Sequence, residues 1–75
     1  TMINVRRQRD IDVMSEPSVL DALAKTEEKL GSRGRVLLRP SGTEPLVRVM
    51  VEADDPAITQ LLAQELAEVV GKALA

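Results

Sequence analysis

The chain has 75 residues, of which 44% are hydrophobic, a formal net charge of −2, and no Phe, Tyr, Trp, Cys or His. This length allows one small domain, residues 1–75, with an aliphatic core. The missing residue types exclude a disulfide, a zinc site made of thiolates and a histidine general base. No apolar run has the length of a membrane span or a signal peptide, so we expect a cytoplasmic protein that does not bind membranes.

The first half of the chain predicts a strand followed by a helix. Residues 2–9 alternate as a half-buried strand does, with Ile3 and Val5 pointing inward. The Ser-Glu-Pro sequence at 15–17 marks a helix start, since either of the first two residues can be the cap and proline suits the first turn. Gly31 is the expected helix end. The apolar residues predicted to form the core side of this helix are Val19, Leu20, Leu23, Ala24 and Leu30.

The second half predicts two strands, at 34–39 and 46–53, and then a second helix that starts at Asp55 and Pro56. This helix start also accounts for the adjacent Asp54 and Asp55 better than a metal site would, so no metal is expected on this chain. The order β-α-β-β-α predicts an α+β, two-layer domain with two helices on one face of a small sheet. The predicted core face of the second helix contains Ile58, Leu61, Leu62, Leu66, Val69, Val70 and Ala73.

The loop at residues 39–45, Arg-Pro-Ser-Gly-Thr-Glu-Pro, has the chemistry of an oxyanion site. Arg39 offers a planar fork of N–H donors that matches two phosphate oxygens. Ser41 and Thr43 add hydroxyl donors, and Gly42 lets the backbone approach a ligand closely. A purely structural turn is the competing interpretation, because these residue types are also common in turns.

Arg48 favours the anion site over the plain turn. If the hairpin pairs Arg39 with Leu46 and Leu37 with Arg48, the two guanidinium groups are diagonal neighbours on one face. Two like charges beside one loop repel each other unless an anion lies between them. The same face carries Leu37, Leu46 and Met50, which predicts contact with another part of a larger protein. The opposite, core-facing side would be formed by Val36, Leu38, Val47, Val49 and Val51.

The stretch from Gly34 to Glu52, GRVLLRPSGTEPLVRVMVE, closely resembles the C-terminal domain of the α-D-phosphohexomutases. The Arg-Pro-Ser-Gly-Thr-Glu-Pro form of the loop is most similar to the phosphoglucosamine mutase branch, and the sequence at 3–6 and the last helix also fit it. The resemblance implies the TATA-box-binding-protein-like fold of those domains. The same domain of a phosphomannomutase or phosphoglucomutase is the alternative within the superfamily.

Enzymes of this superfamily have four domains, and the resemblance covers only the fourth, which holds the substrate's phosphate. It implies a phosphate site made of Arg39, Ser41, Gly42, Thr43 and Arg48. The substrate implied is a hexosamine phosphate, in a reaction that interconverts glucosamine 6-phosphate and glucosamine 1-phosphate for peptidoglycan precursor synthesis. The resemblance gives Glu44 no phosphate role, so we expect it to face solvent or a cation.

No residue of this chain is expected to be catalytic, and the domain is expected to bind no cofactor. The family's phosphoserine and magnesium ion belong to other domains, which are the expected partners of this chain. A free-standing anion-binding regulatory module is the main alternative function. Arg6, Arg7 and Arg9 are compatible with nucleic acid, but no aromatic residue is present to stack on bases, so we expect no nucleic-acid partner.

Overall fold

The computed structural model describes residues 1–6, 12–41 and 45–74. Three strands, β1 (Met2–Arg6), β2 (Gly34–Pro40) and β3 (Leu46–Ala53), and two helices, α1 (Pro17–Leu30) and α2 (Pro56–Leu74), form the fold. Short 3-10 turns lie at Val13–Ser15 and Gly31–Arg33. The β-α-β-β-α order and the α+β class predicted from the sequence are confirmed. Of the first predicted strand, residues 7–9 lie outside the described part of the chain.

The three strands form one antiparallel sheet in the order β1-β3-β2, so β3 is the central strand. Both helices pack on the face that carries Val47, Val49 and Val51, each of which is almost fully buried. Ile3 and Val5 of β1 are half-buried against the same core, as predicted. The alternation along β3 therefore gives one core face and one outer face, and neither of the described helices packs on the outer face.

The register of β2 against β3 differs from the predicted one by two residues. Arg39 pairs with Arg48 and Leu37 with Met50, whereas the prediction paired Arg39 with Leu46 and Leu37 with Arg48. The ladder continues toward the loop, because the Ser41 amide donates to the Leu46 carbonyl at 2.9 Å. A shift of two residues keeps every side chain on its predicted face. The change is that the two arginines are directly opposite each other instead of diagonal.

The buried core is formed by β3, both helices and the first 3-10 turn, and half-buried residues of β1 and β2 pack against it. Its buried apolar residues are Val13, Val19, Leu30, Val47, Val49, Val51, Leu62, Ala63, Leu66, Val70 and Leu74. Two threonines are also buried, and each hydroxyl donates to a carbonyl one turn earlier at 2.8 Å: Thr26 to Ala22, and Thr59 to Asp55. These bonds satisfy polar groups that would otherwise be costly to bury.

Four helix residues that the sequence placed in the core are exposed. Leu20 and Ala24 lie on the solvent side of α1, and Ile58 and Leu61 on that of α2. Leu61 is 54% exposed. Small residues, Thr26 on α1 and Ala63 on α2, are buried in their place. Each helix contacts the rest of the fold along one face only, so the buried part of its surface is narrower than the apolar spacing suggests. Close packing along that face favours small residues.

The helix ends follow the predicted signals. Glu16 is the N-cap of α1 with Pro17 in the first turn, and Gly31 ends the helix with a φ of 57°, a value that favours glycine. The Asp55 carboxylate accepts from the Ala57 amide at 3.0 Å, which is the geometry of a helix cap. Among the described residues no cluster of acidic side chains could hold a metal ion. None of the described helices is long and apolar enough to cross a membrane.

Candidate anion-binding site

The candidate site lies on the outer face of the sheet, at the end where β2 and β3 meet their connecting loop. Arg39 on β2 and Arg48 on β3 are paired across the strands and both are exposed. Directly opposite residues of an antiparallel pair have Cβ atoms about 4.5–5.5 Å apart. The two guanidinium groups can therefore reach one small ligand from either side.

Arg39, Pro40, Ser41 and Arg48 line a cavity of about 230 Å³. Pro40 pairs with Val47, and the amide of Ser41 is held by the Leu46 carbonyl, so the backbone beneath the cavity is part of the sheet ladder. Backbone that is already hydrogen-bonded in the sheet lowers the free-energy cost of ordering the site when a ligand binds. The structure thus brings together three of the five predicted site residues: Arg39, Ser41 and Arg48.

The other two predicted site residues, Gly42 and Thr43, lie outside the described residues, as does Glu44. Their place in the site stays a prediction from the sequence. Ser41 and Leu46, which flank this part of the chain, are joined by a backbone hydrogen bond.

The arginines of β2, of β3 and of the turn before β2 differ sharply in their partners. At the end far from the loop, the Arg35 guanidinium pairs with the Glu52 carboxylate opposite it at 3.1 Å, and Arg33 lies 4.0 Å from Asp54. Arg39 and Arg48 have no ion pair or hydrogen bond within the part of the chain that the structure describes. A pair of like charges without a carboxylate is unfavourable in a structural role and suits an anion site.

The sequence did not reveal the contribution of β1 to this region. Asn4 pairs with Arg48, and Arg6 pairs with Leu46, so both side chains lie on the outer face beside the site. Residues 3–6 contributed to the family resemblance, but the sequence alone did not place β1 next to β3. Strand order depends on contacts between distant residues, which periodicity does not encode.

An apolar row crosses the same face one step away from the arginines. Leu37, Met50 and Met2 pair in that order across β2, β3 and β1. Leu37 is 51% exposed and Met2 is 59% exposed. The outer face therefore combines a cationic row with an apolar row, as the sequence predicted for Leu37 and Met50.

The two layers of the fold carry opposite charge. The three strands contain four arginines and one glutamate, a net charge of +3. Each helix has one more acidic than basic residue, so each carries a net charge of −1. The whole chain is mildly acidic, with an isoelectric point near 5.0, yet its sheet layer is cationic.

Residues 2–69 match the family model described as phosphoglucomutase/phosphomannomutase, C-terminal domain. The chain belongs to this family. A phosphoglucosamine mutase of Cellvibrio japonicus is 58% identical over 73 residues, which is 97% of this chain and 16% of that protein. A phosphoglucosamine mutase of Rhodococcus erythropolis is 59% identical over 70 residues, 93% of this chain and 16% of that protein. The chain thus spans about one sixth of the length of these relatives.

Membership in this family confirms the resemblance drawn from the loop sequence, and the three-stranded sheet with two helices on one face fits the family's C-terminal domain. Identity near 50% extends to phosphoglucosamine mutases of several pseudomonads, for example 51% over 74 residues in Pseudomonas paraeruginosa. Relatives of this length contain further domains besides the part that this chain matches.

Proposed function

We propose that this chain is the phosphate-clamping domain of an enzyme that interconverts glucosamine 6-phosphate and glucosamine 1-phosphate. The observation that carries the proposal is the directly opposed pair of Arg39 and Arg48, which has no carboxylate partner within the described residues. The names of the relatives support the glucosamine sugar, since those compared are phosphoglucosamine mutases.

A clamp of this chemistry suits a reaction that moves a phosphate between two positions of one sugar. The substrate must be held in two orientations, with its existing phosphate always in the same place. Two guanidinium groups and a hydroxyl grip the phosphate without contacting a particular face of the sugar. The site therefore serves both phosphate isomers, and other domains are left to distinguish the sugars.

The chemical step belongs to other domains of the same enzyme. We assign no catalytic residue to this chain. The phosphoserine and the magnesium ion that the family uses would come from those domains. The apolar row of Leu37, Met50 and Met2 on the outer face gives those domains a surface to pack against beside the clamp. A phosphomannomutase or phosphoglucomutase is the second candidate, favoured only by the wider description of the family.

A chimera tests this proposal. The matching C-terminal segment of the Cellvibrio japonicus relative is replaced by this chain, and interconversion of the two glucosamine phosphates is measured from both directions. We expect the chimera to be active with both isomers. Arg39→Ala or Arg48→Ala should each lower kcat/KM about tenfold to a hundredfold, since a hydrogen bond to a charged group contributes about 1.5–3 kcal/mol.

Arg35→Ala is the matched control, because Arg35 lies on the same strand and the same face as Arg39 but is paired with Glu52. It should leave kcat/KM nearly unchanged. Arg39→Lys should recover only part of the activity, since an ammonium group keeps the charge but not the planar fork. A chimera in which Arg35→Ala and Arg48→Ala reduce activity equally would refute the clamp.

A further inference from the structure

We propose that Asn4 is a further ligand-binding residue of the anion site, an inference that rests on the proposed clamp. Asn4 pairs with Arg48, which in turn pairs with Arg39, so the three side chains form one row across the three strands. All three are exposed on the outer face. With phosphate bound, the Asn4 amide nitrogen would donate to a phosphate oxygen, and the amide oxygen would then be available to accept from the Arg48 guanidinium.

The opposite end of the sheet shows how a carboxylate would behave if it replaced the Asn4 amide. There the Glu52 carboxylate, directly across from Arg35 on the same face, forms an ion pair with it at 3.1 Å. A carboxylate at position 4 would hold Arg48 in the same way and repel an incoming anion. An asparagine has the same shape without the charge, so Arg48 stays available.

An amide also offers what the arginines lack. A guanidinium group has donors only, whereas the asparagine side chain has both an acceptor and donors. The acceptor can orient Arg48 while a donor reaches the ligand. Within the described residues the Asn4 side chain has no hydrogen bond that would compete with this role. Its neighbours on the outer face of β1 are Met2 and Arg6, and neither would neutralise the site.

The experiment titrates inorganic phosphate into the 75-residue chain at constant ionic strength and follows backbone and side-chain amide signals by NMR. Asn4 is the single asparagine of the sequence, so its NH2 pair is distinguishable from the glutamine signals. We expect the Asn4 NH2 signals to shift with the same midpoint as the Ser41 backbone amide. The side chains of Gln60 and Gln64, exposed on α2, should not move.

Two substitutions measure the contribution of the residue. Asn4→Ala should weaken phosphate binding by about twofold to tenfold, less than the loss of an arginine, because it removes one hydrogen bond from a neutral, exposed donor. The loss should be independent of added salt. Asn4→Asp should weaken it by more than about tenfold and recover in part at high salt, because the added charge is exposed and screened. Gln60→Glu makes the same change from amide to carboxylate on the helix layer and should stay within about twofold of the original.

The outcomes separate this inference from the clamp on which it rests. If Ser41 responds to phosphate while Asn4 does not, and Asn4→Ala binds as tightly as the original, Asn4 has no role and the clamp stands. If Asn4→Asp and Gln60→Glu weaken phosphate binding equally, the effect comes from the net charge of the chain and not from position 4. That result would also overturn the inference. If phosphate moves neither Ser41 nor Asn4, the clamp fails and the role of Asn4 fails with it. Amide spectra without phosphate check that each variant is folded.

Discussion

Replacing Arg48 with glutamine should stabilise the empty domain. Arg48 is directly opposite Arg39, and neither has an ion pair among the described residues. Two unit charges about 6 Å apart in water repel by about 0.7 kcal/mol, and like charges directly opposite each other destabilise a sheet. We expect Arg48→Gln to raise the free energy of unfolding by about 0.3–0.7 kcal/mol at low salt, which raises Tm by about 2–4 °C for a domain of this size.

Phosphate should reverse the order of stability. A ligand that binds only the folded chain stabilises it by RT ln(1 + [L]/Kd), which gives about 1.8 kcal/mol at twentyfold over Kd. Phosphate should stabilise the original chain by this amount, whereas the Arg48→Gln variant should gain only a small part of it. Urea unfolding with and without phosphate, at matched ionic strength, measures both effects in one series. At high salt without phosphate the difference should shrink, because the charges are exposed and screened.

Arg35→Gln is the control with the opposite sign. Arg35 pairs with Glu52 at 3.1 Å, and an exposed ion pair contributes about 0.2–1 kcal/mol, so its loss should lower stability slightly with or without phosphate. If Arg48→Gln is instead less stable than the original at low salt without phosphate, Arg48 supports the fold. The argument from charge repulsion would then be wrong.

Three further outcomes follow from the fold and the proposed function. The 75-residue chain alone should not interconvert glucosamine phosphates, and turnover by the purified chain in a coupled assay would contradict the assignment of chemistry to other domains. Gly34→Ala should lower the free energy of unfolding by about 1–3 kcal/mol, since a Cβ there would clash with the Glu52 carbonyl oxygen. If urea unfolds this variant at the same concentration as the original, the strands can separate there at little cost. Leu66→Ala should cost about 2–5 kcal/mol in the same assay because Leu66 is 1% exposed, whereas Leu61→Ala, at a residue 54% exposed, should cost far less; similar costs would contradict the assigned faces of α2.

Local signals in the sequence predicted the fold well, and the register of the hairpin was the clearest error. Alternation along Val47, Val49 and Val51 determines which side of β3 faces the core. That pattern repeats every two residues, so it cannot distinguish registers that differ by two. The hydrogen bond from the Ser41 amide to the Leu46 carbonyl continues the observed register, and the periodicity of the sequence does not predict it.

The helix faces show a second limit of sequence patterns. Leu20, Ile58 and Leu61 continue the apolar spacing of their helices, yet all three are exposed. Spacing identifies residues that could face a core, whereas the width of the contact depends on how close the helices and the sheet approach each other. The buried Thr26 could not be predicted from hydrophobicity, because its hydroxyl is satisfied within its own helix.

The candidate site was predicted mainly from chemistry and not from periodicity. The donors of Arg39 and Ser41 indicated an anion from their chemistry alone. The argument from Arg48 used an assumed strand pairing, which was wrong by two residues but left both arginines on the same face. A role for Asn4 could not be proposed from the sequence, because its neighbour Arg48 is distant in the sequence and adjacent only in the sheet. The part that Gly42 and Thr43 play in the site remains a prediction from the sequence.

The opposite charges of the two layers affect how an anion arrives. The net charge of −2 would by itself repel phosphate, but the strands carry +3 and each helix −1. A separation of charge across a thin domain guides anions toward the cationic face and away from the helices, and such guidance raises association rates and weakens as salt increases. The isoelectric point alone would suggest a protein that repels anions over its whole surface, whereas the sheet layer carries a net positive charge that attracts them.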